Sequence, residues 1–163
     1  MSKNIFIAEP GKQEVYFTRT FDAPRELVYQ AYTDPDMIPK WWGLKFFKTT
    51  VEIMDVWEGG MWRFVHTDPN GKKHAFHGFY HSIEPPEKLV YTFEFEDMPG
   101  CVFLETVTFE ELDEKTKVTN KSVFQSVEDR DSMINAGMES AAAESMDSLE
   151  ELLYVSSVEY SKY

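Results

Sequence analysis

Two ionisable side chains stand where the sequence pattern otherwise puts aromatic residues. Side chains alternate between the faces of a β-strand, so Glu105 shares a face with Phe103, and His66 shares one with Trp62 and Phe64. A carboxylate that faces an apolar pocket has a raised pKa and can bind a ligand hydroxyl or act as an acid. The alternative is that either residue lies near a strand end and reaches water, or that a bulge reverses the register. The first interpretation makes Glu105 and His66 polar anchors of an apolar site.

The four histidines of the chain raise the question of a metal site. His77 and His81 share a strand face but lie about 13 Å apart along it, too far to ligate one ion. His74 points to the opposite face, and a pair with His66 across a hairpin would supply only two ligands. The sequence therefore predicts no metal ion, and no motif in it indicates a cofactor.

No arrangement in the sequence is typical of a nucleophilic or phosphate-binding site. We recognise no catalytic triad of serine, histidine and aspartate in the sequence. We also recognise no glycine-rich loop that would bind phosphate and no spacing of ligands typical of a zinc site. Cys101 lies near Glu96, Asp97 and Glu105, and acidic neighbours raise the pKa of a thiol, which argues against a cysteine nucleophile. These observations favour a binding protein over an enzyme and leave Glu105 as the one catalytic candidate.

The elements that would position these residues begin with a strand and two short helices. Residues 13–21 are rich in β-branched and aromatic types and predict the opening strand. Pro24 suits the first position of a helix, and Asp34 is the predicted N-cap of a second helix that Gly43 ends. From about 45 to 125, alternating patterns and turn signals predict six antiparallel strands.

A long amphipathic helix is predicted from Ser126 onwards. Ser126 and Asp129 form a capping-box-like start, and apolar or small residues recur at helical spacing as far as Leu153. An antiparallel sheet with one long helix buries its apolar face against that helix, which indicates an α+β domain of two layers. Ala142 and Ser145 face the sheet, and such small residues indicate either close packing of the helix or a cavity over an aromatic floor.

Length, charge and cysteine content limit the class of protein. The chain has 163 residues, which predicts a single domain over 1–163 with a core at about 13–155 and flexible termini, the tail after Val155 included. Its net charge of −13 argues against nucleic acid and an anionic membrane surface as partners. No apolar stretch approaches the roughly 20 residues of a membrane span. A single cysteine and the lack of a signal peptide predict a reducing, cytoplasmic location.

Several runs of the sequence resemble one protein family in order and spacing. They are FDAPRELVYQAYTDP, WWG, DVWEGGMWRF, FHGFYHSIEPPEKLVYTFEFE, LETVTFEELDEKTKVT and SMDSLEELL. These runs resemble the SRPBCC (START-like) proteins related to the C-terminal domain of the heat shock protein 90 ATPase activator. The resemblance implies a helix-grip fold, in which a curved antiparallel sheet of about seven strands wraps a long C-terminal helix and two short helices follow the first strand. Leu44 departs from the family, where proline commonly follows the Trp-Trp-Gly motif.

The resemblance also implies a cavity for an apolar or amphipathic small molecule between the sheet and the C-terminal helix. Glu105 or His66 would be its polar anchor, and the expected lining residues are Trp41, Trp62, Phe64, Tyr91, Phe93, Met138, Ala142 and Ser145. Two alternatives stay open. One is a co-chaperone that acts on the heat shock protein 90 ATPase in the stress response, and the other is a cyclase or hydratase that uses Glu105. The exposed aromatic residue Trp57 suggests a homodimer.

Overall fold

The computed structural model describes residues 4–160, with side chains as far as residue 156. Residues 1–3 and 161–163, the ends of the predicted flexible termini, lie outside the described residues. The strands are β1 (Ile5–Ile7), β2 (Glu14–Phe21), β3 (Lys48–Met54), β4 (Met61–Thr67), β5 (Lys73–Glu84), β6 (Lys88–Phe95), β7 (Phe103–Leu112) and β8 (Lys115–Phe124). The helices are α1 (Arg25–Thr33), α2 (Ile38–Trp41), α3 (Val127–Asn135) and α4 (Met138–Tyr160). None of them is long and apolar enough to cross a membrane.

All eight strands belong to one antiparallel sheet with the order β1-β2-β8-β7-β6-β5-β4-β3. The opening strand and the six strands after the short helices are confirmed, and the α+β helix-grip architecture is confirmed with them. The prediction of about seven strands missed β1, whose three residues pair with Tyr16–Thr18 of β2. A run of three apolar residues is too short to show a strand period, so only tertiary pairing identifies it.

The two short helices follow β2, but the predicted caps need correction. Pro24 precedes α1 as its N-cap rather than being its first helical residue, and Asp34 ends α1 as its C-cap. The Asp34 side chain accepts a hydrogen bond from the backbone N–H of Asp36, and the N-cap of α2 is Met37. The aspartate therefore stabilises the turn between the helices instead of starting the second one.

The long C-terminal helix is confirmed as α4, but the helix predicted to run without a break from Ser126 is divided into α3 and α4 at Gly137. The predicted start is confirmed: the Ser126 hydroxyl accepts a hydrogen bond from the backbone N–H of Asp129. Gly137 has a φ of 101°, which a residue with a side chain rarely adopts, so the helical path stops there and restarts at Met138. At the other end the backbone stays helical to Tyr160, beyond the point where fraying was expected.

The concave face of the sheet carries the core, and α4 crosses only part of it. Leu149 and Leu153 are buried in the main core cluster together with Phe21 and Val118 from the sheet. Trp41 extends this cluster from α2, and its indole Nε1–H donates to the carbonyl of Ala31 at 2.9 Å. A second cluster around Phe103 and Phe124 lies under α3. The region between the two clusters is where the site lies.

Candidate functional site

A cavity of about 500 Å³ lies between the concave face of the sheet and the two C-terminal helices. Its aromatic lining comes mainly from the central strands and from the segment after α2, and includes Trp42, Phe76, Tyr91, Phe93, Phe95 and Phe103. The helical side consists of small and flexible residues, among them Met138, Ala141, Ala142 and Met146. Tyr91 and Phe93 keep accessible surface although they lie on central strands, because the cavity separates them from α4.

A polar row crosses the aromatic floor of this cavity. In the sheet register Glu105 of β7 lies between Tyr91 of β6 and Ser122 of β8, and Ser122 pairs in turn with Val15 of β2. Alternation along each strand points these side chains to the concave face, and all four line the cavity. The predicted inward direction of Glu105 is therefore what the structure shows.

Glu105 is a buried ionisable group on the floor of the site. It is 7% exposed, and its carboxylate Oε2 accepts a hydrogen bond from the Ser122 hydroxyl at 2.5 Å. Burial raises the pKa of Glu105 to about 7, and the hydrogen bond from Ser122 opposes that rise. Within the described residues this is the only hydrogen bond to the carboxyl group, so its other oxygen is free to meet a ligand.

Two further polar residues lie beside Glu105, and one of them, Asn120, was not singled out in the sequence. Asn120 lies two residues before Ser122 on β8, and the Tyr32 hydroxyl comes from α1; both line the cavity. Burial raises the pKa of Tyr32 well above its ordinary value, so this hydroxyl stays protonated and neutral. An asparagine in an alternating strand pattern is the one signal that pointed to this position, since it occupies an inward site between Val118 and Ser122.

His66 and Ser145 reach the cavity wall, but both are engaged by the segment after α2. The backbone N–H of Leu44 donates to His66 Nε2 at 3.0 Å, and burial lowers the pKa of the His66 imidazole. The Ser145 hydroxyl accepts from the Gly43 N–H at 2.9 Å and donates to the Gly43 carbonyl at 3.0 Å. These two side chains therefore hold residues 43–44 in place, which leaves Glu105 as the free polar anchor.

The predicted lining residues fall into two groups, those that line the cavity and those that another side chain covers. Trp41, Tyr91 and Phe93 line the cavity, as do Met138 and Ala142.

Trp62 and Phe64 do not line the cavity, which corrects the predicted set. Trp42 covers them: its ring centroid lies 5.1 Å from that of Phe64 and 6.5 Å from that of Trp62. They border a smaller void of about 30 Å³ on the far side of Trp42. The alternating pattern of β4 placed them on the inner face correctly but could not show that Trp42 lies above them.

The remaining ionisable candidates are engaged away from the floor. His74 lines the cavity near its rim, and its Nδ1 lies 2.7 Å from Asp97 Oδ2. His77 lies on the opposite face of the sheet with Glu96, at 2.9 Å. In residues 4–160 no group of three or more histidine, cysteine or acidic side chains is arranged to hold a metal ion. Burial raises the pKa of the Cys101 thiol, with Asp129 contributing.

Comparisons with known proteins agree with this fold. The family model described as Activator of Hsp90 ATPase homolog 1-like protein matches residues 22–154. That range contains the two short helices, the strands β3 to β8, and α4 as far as Tyr154. None of the curated proteins matches the chain.

Solved structures show the same fold over nearly the whole chain. Protein Ms6760 from Mycobacterium smegmatis is 24% identical with a TM-score of 0.84, and the match covers 93% of this chain and 97% of that one. A protein from Arthrobacter aurescens is 26% identical with a TM-score of 0.85, covering 92% and 91%. The AHSA1 protein from Silicibacter pomeroyi is 16% identical with a TM-score of 0.74, covering 88% and 99%. With the match over residues 22–154, the chain belongs to the Activator of Hsp90 ATPase homolog 1-like family.

Proposed function

We propose that this protein binds an apolar or amphipathic small molecule in the cavity between the sheet and α4. Family membership fits a ligand-binding or co-chaperone-like protein in general. The observation that carries the narrower proposal is the cavity of about 500 Å³ itself. Protein interiors are close-packed, and empty spaces much larger than a water molecule are few. A space of this size falls within the usual range of ligand sites.

The chemistry of the lining supports the same function. Ligand sites are mostly apolar, with a few polar groups that fix the orientation of the ligand. Here aromatic rings and methionines form the walls, and the polar row around Glu105 lies on one part of the floor. Ala141 and Ala142 leave the space open because their side chains are too short to reach the sheet. The cavity beside these alanines supports the interpretation as a ligand site over dense packing of the helix.

Native mass spectrometry of freshly purified protein, followed by denaturing mass spectrometry of the same sample, tests for a bound molecule. We expect a mass excess that disappears on denaturation, and the native peaks also report any homodimer. The Ala142→Trp variant should lose the excess and bind the fluorescent probe pyrenemethanol at least about tenfold more weakly, because the indole fills the cavity. Ser140→Trp is the matched control, since residue 140 is exposed on the same helix. Unchanged affinity in Ala142→Trp would contradict the proposal.

A second candidate is acid–base catalysis by Glu105, of the cyclase or hydratase type. It is supported by a buried carboxyl group whose pKa of about 7 suits proton transfer near neutral pH. A catalytic site also needs a second group that positions the substrate, and the residues around Glu105 offer the hydroxyls of Tyr32 and Tyr91. Once a substrate is found, Glu105→Gln should abolish turnover while leaving substrate binding measurable; retained turnover would exclude this role.

A co-chaperone role is the third candidate, and it rests on the family description alone. Purified heat shock protein 90 provides the test. Binding in a pull-down together with a faster ATPase rate would support the role, and the absence of both would exclude it. The proposal does not depend on the cavity, so Ala142→Trp should leave the ATPase effect unchanged.

A further inference from the structure

We propose that the preferred ligand is a lipophilic amine, whose flat apolar body lies on the aromatic walls and whose ammonium group pairs with Glu105. This inference rests on the proposed function, because it names the chemical class that the same cavity takes. It follows from three features: the sign of the ionisable groups that line the cavity, the arrangement of oxygen atoms on its floor, and the aromatic rings next to that floor.

The ionisable residues that line the cavity can supply negative charge but no unpaired positive charge. Glu105 is the one acidic residue among the described residues of the lining, and no lysine or arginine is among them. His66 supplies no positive charge, because its Nε2 accepts the Leu44 N–H and burial disfavours its protonation. Any charge on His74 is neutralised by Asp97 at 2.7 Å. An anionic ligand would therefore find no counterion inside, whereas an ammonium group finds a buried carboxylate.

The oxygen atoms of the floor match the donors of an ammonium group. A primary ammonium has three N–H donors and no acceptor, so it needs several acceptors close together. The Glu105 carboxylate has one oxygen free of hydrogen bonds within the described residues, and Tyr91 and Ser122 are its neighbours on the adjacent strands. Asn120 and Tyr32 add a carbonyl and a hydroxyl oxygen to the same part of the lining. An ammonium group that enters the cavity would thus replace its hydrogen bonds to water with hydrogen bonds to these fixed oxygen atoms.

Aromatic faces lie next to these acceptors. Phe103 is two residues from Glu105 on the same face of β7, and its ring is stacked on that of Phe93 with centroids 4.8 Å apart. The Phe93 ring in turn lies near those of Trp42 and Phe76. A cation over such rings is attracted by their π-electrons, most strongly where water is excluded. The same rings stack on a planar apolar body, so one molecule with both parts uses the whole site.

The overall charge acts in the same direction. A net charge of −13 raises the local concentration of cations and lowers that of anions around the protein. This long-range effect favours any cation equally, so it increases the rate of association but does not select a position. Only Glu105 fixes where the ammonium group binds. Mutation of Glu105 therefore separates its contribution to affinity from that of the net charge.

Three pyrene probes that share one ring system test the inference: pyrenemethylamine, pyrenemethanol and pyrenecarboxylate. Their dissociation constants would be measured by fluorescence titration of the full chain at about pH 8, where Glu105 is ionised in the free protein. We expect the amine to bind about tenfold more tightly than the alcohol, and the carboxylate about tenfold more weakly. Equal affinity for amine and alcohol, or a preference for alcohol or carboxylate, would overturn the inference while leaving the proposed function intact. If no probe binds, the proposed function itself fails.

Glu105→Gln locates the preference. This variant keeps the size of the side chain and an acceptor for the Ser122 hydroxyl but removes the charge, so amine and alcohol should bind equally well. Glu139→Gln is the matched control, because it removes one exposed carboxylate at the start of α4 and should keep the preference. A preference that survives in Glu105→Gln would show that the general negative field is responsible, and the inference would fall.

A pH titration of the wild-type protein tests the same point without a variant. The ionisable groups that face Glu105 are Tyr32 from α1 and Tyr91 from β6, with His66 of β4 and His74 of β5 on the wall; α3, α4, β2 and β8 contribute none to the lining. The two tyrosines stay neutral over this range because burial raises their pKa values. The affinity for the amine should fall as the pH drops below about 7, while that for the alcohol stays constant. A constant ratio of the two affinities would overturn the inference.

Discussion

Glu105 is a carboxyl group that the fold removes from water and supplies with a single hydrogen bond. Its ordinary pKa of 4.5 is raised to about 7, mainly by burial. In the unfolded chain the same group loses its proton at a lower pH, so the folded protein must either keep the proton or hold a buried charge. At the residue scale, this makes Glu105 a source of instability near neutral pH, which a bound partner of opposite charge would remove.

Glu105→Gln should therefore stabilise the free protein in alkaline solution. Because the folded-state pKa is the higher one, the free energy of unfolding falls as the pH rises between 4.5 and about 7. Glutamine removes this dependence, so the variant should exceed the wild type by about 1–3 kcal/mol above pH 7, with the gap closing towards about pH 4.5. Urea unfolding over a series of pH values measures the difference. Glu139→Gln, which removes an exposed carboxylate, is the matched control, and a Glu105→Gln variant that is less stable at all pH values would contradict this account.

Gly43 is a second residue whose identity the structure explains. Its φ of 91° is strained for any residue with a side chain, and a Cβ atom there would lie 2.5 Å from His66 Nε2. The His66 ring cannot move away easily, because it is 4% exposed and its centroid lies 4.5 Å from that of Phe47.

Gly43→Ala should cost more stability than Gly71→Ala. Both positions have the same sign of φ, but a Cβ atom on Gly71 meets nothing within 4 Å. We expect about 1 kcal/mol for the backbone strain alone at Gly71 and about 2–4 kcal/mol at Gly43, where the contact with His66 adds to it. The urea concentrations at the unfolding midpoints of the two variants measure this difference in stability. Equal losses would mean that the His66 ring gives way without cost.

At the scale of elements, α4 is connected to the segment after α2 by short polar contacts. Ser145 makes both hydrogen bonds to Gly43, and the backbone N–H of Lys45 donates to Glu144 Oε1 at 3.3 Å. The Lys45 ammonium lies 3.7 Å from Glu151. These contacts hold the segment that forms one side of the cavity against the helix that forms its roof.

Ser145→Ala should loosen this connection without altering the sheet. Loss of the hydroxyl leaves the Gly43 N–H without its acceptor, so hydrogen exchange at this amide should become faster, and stability should fall by about 1 kcal/mol. Ser148→Ala on the same helix is the control, because the Ser148 hydroxyl makes no hydrogen bond with the described residues. Unchanged exchange at Gly43 would show that the remaining contacts of the segment, among them Leu44–His66, hold it without Ser145.

The sequence predicted most elements because their patterns are local. Alternation identified the strands from β3 to β8, and the Ser126 cap identified the start of α3. The break at Gly137 was missed because apolar spacing continues across it in nearly the same phase, so periodicity alone shows one helix. A glycine inside a helical pattern was the available signal, and its φ of 101° is the physical reason for the interruption.

For the whole molecule, the net charge of −13 is the dominant electrostatic feature. Like charges on one compact surface repel, and salt screens that repulsion within a Debye length of about 8–10 Å. Salt also weakens the exposed ion pairs, but such pairs contribute little individually.

Sodium chloride should therefore raise the melting temperature at neutral pH. An increase from about 0.02 M to about 0.5 M is expected to raise Tm by about 2–5 °C, because relief of the net repulsion exceeds the loss of exposed ion pairs. Near the sequence pI of 4.7 the net charge vanishes, and the effect of salt should vanish with it. A fall of Tm with salt at neutral pH would mean that the ion pairs dominate instead.

The sequence predicted which strand residues point to the inner face of the sheet, but not which of them reach the cavity. Strand alternation placed Glu105, Tyr91 and Phe93 on the inner face. This prediction needs only the pattern within each single strand. The engagement of His66 and Ser145 by residues 43–44 depends on how the segment after α2 crosses the sheet. No local pattern reports such a crossing, and the same holds for Trp42, which separates Trp62 and Phe64 from the cavity.

The contact between Gly43 and His66 also limits how this sequence can evolve. A side chain at position 43 avoids the contact only if the ring at position 66 becomes smaller, and a smaller residue at 66 gives up the acceptor for the Leu44 N–H. Each single change is harmful while the double change relieves the clash, so the two positions form an epistatic pair. Descendants that diverge here should replace both residues together, although the two residues lie far apart in the chain.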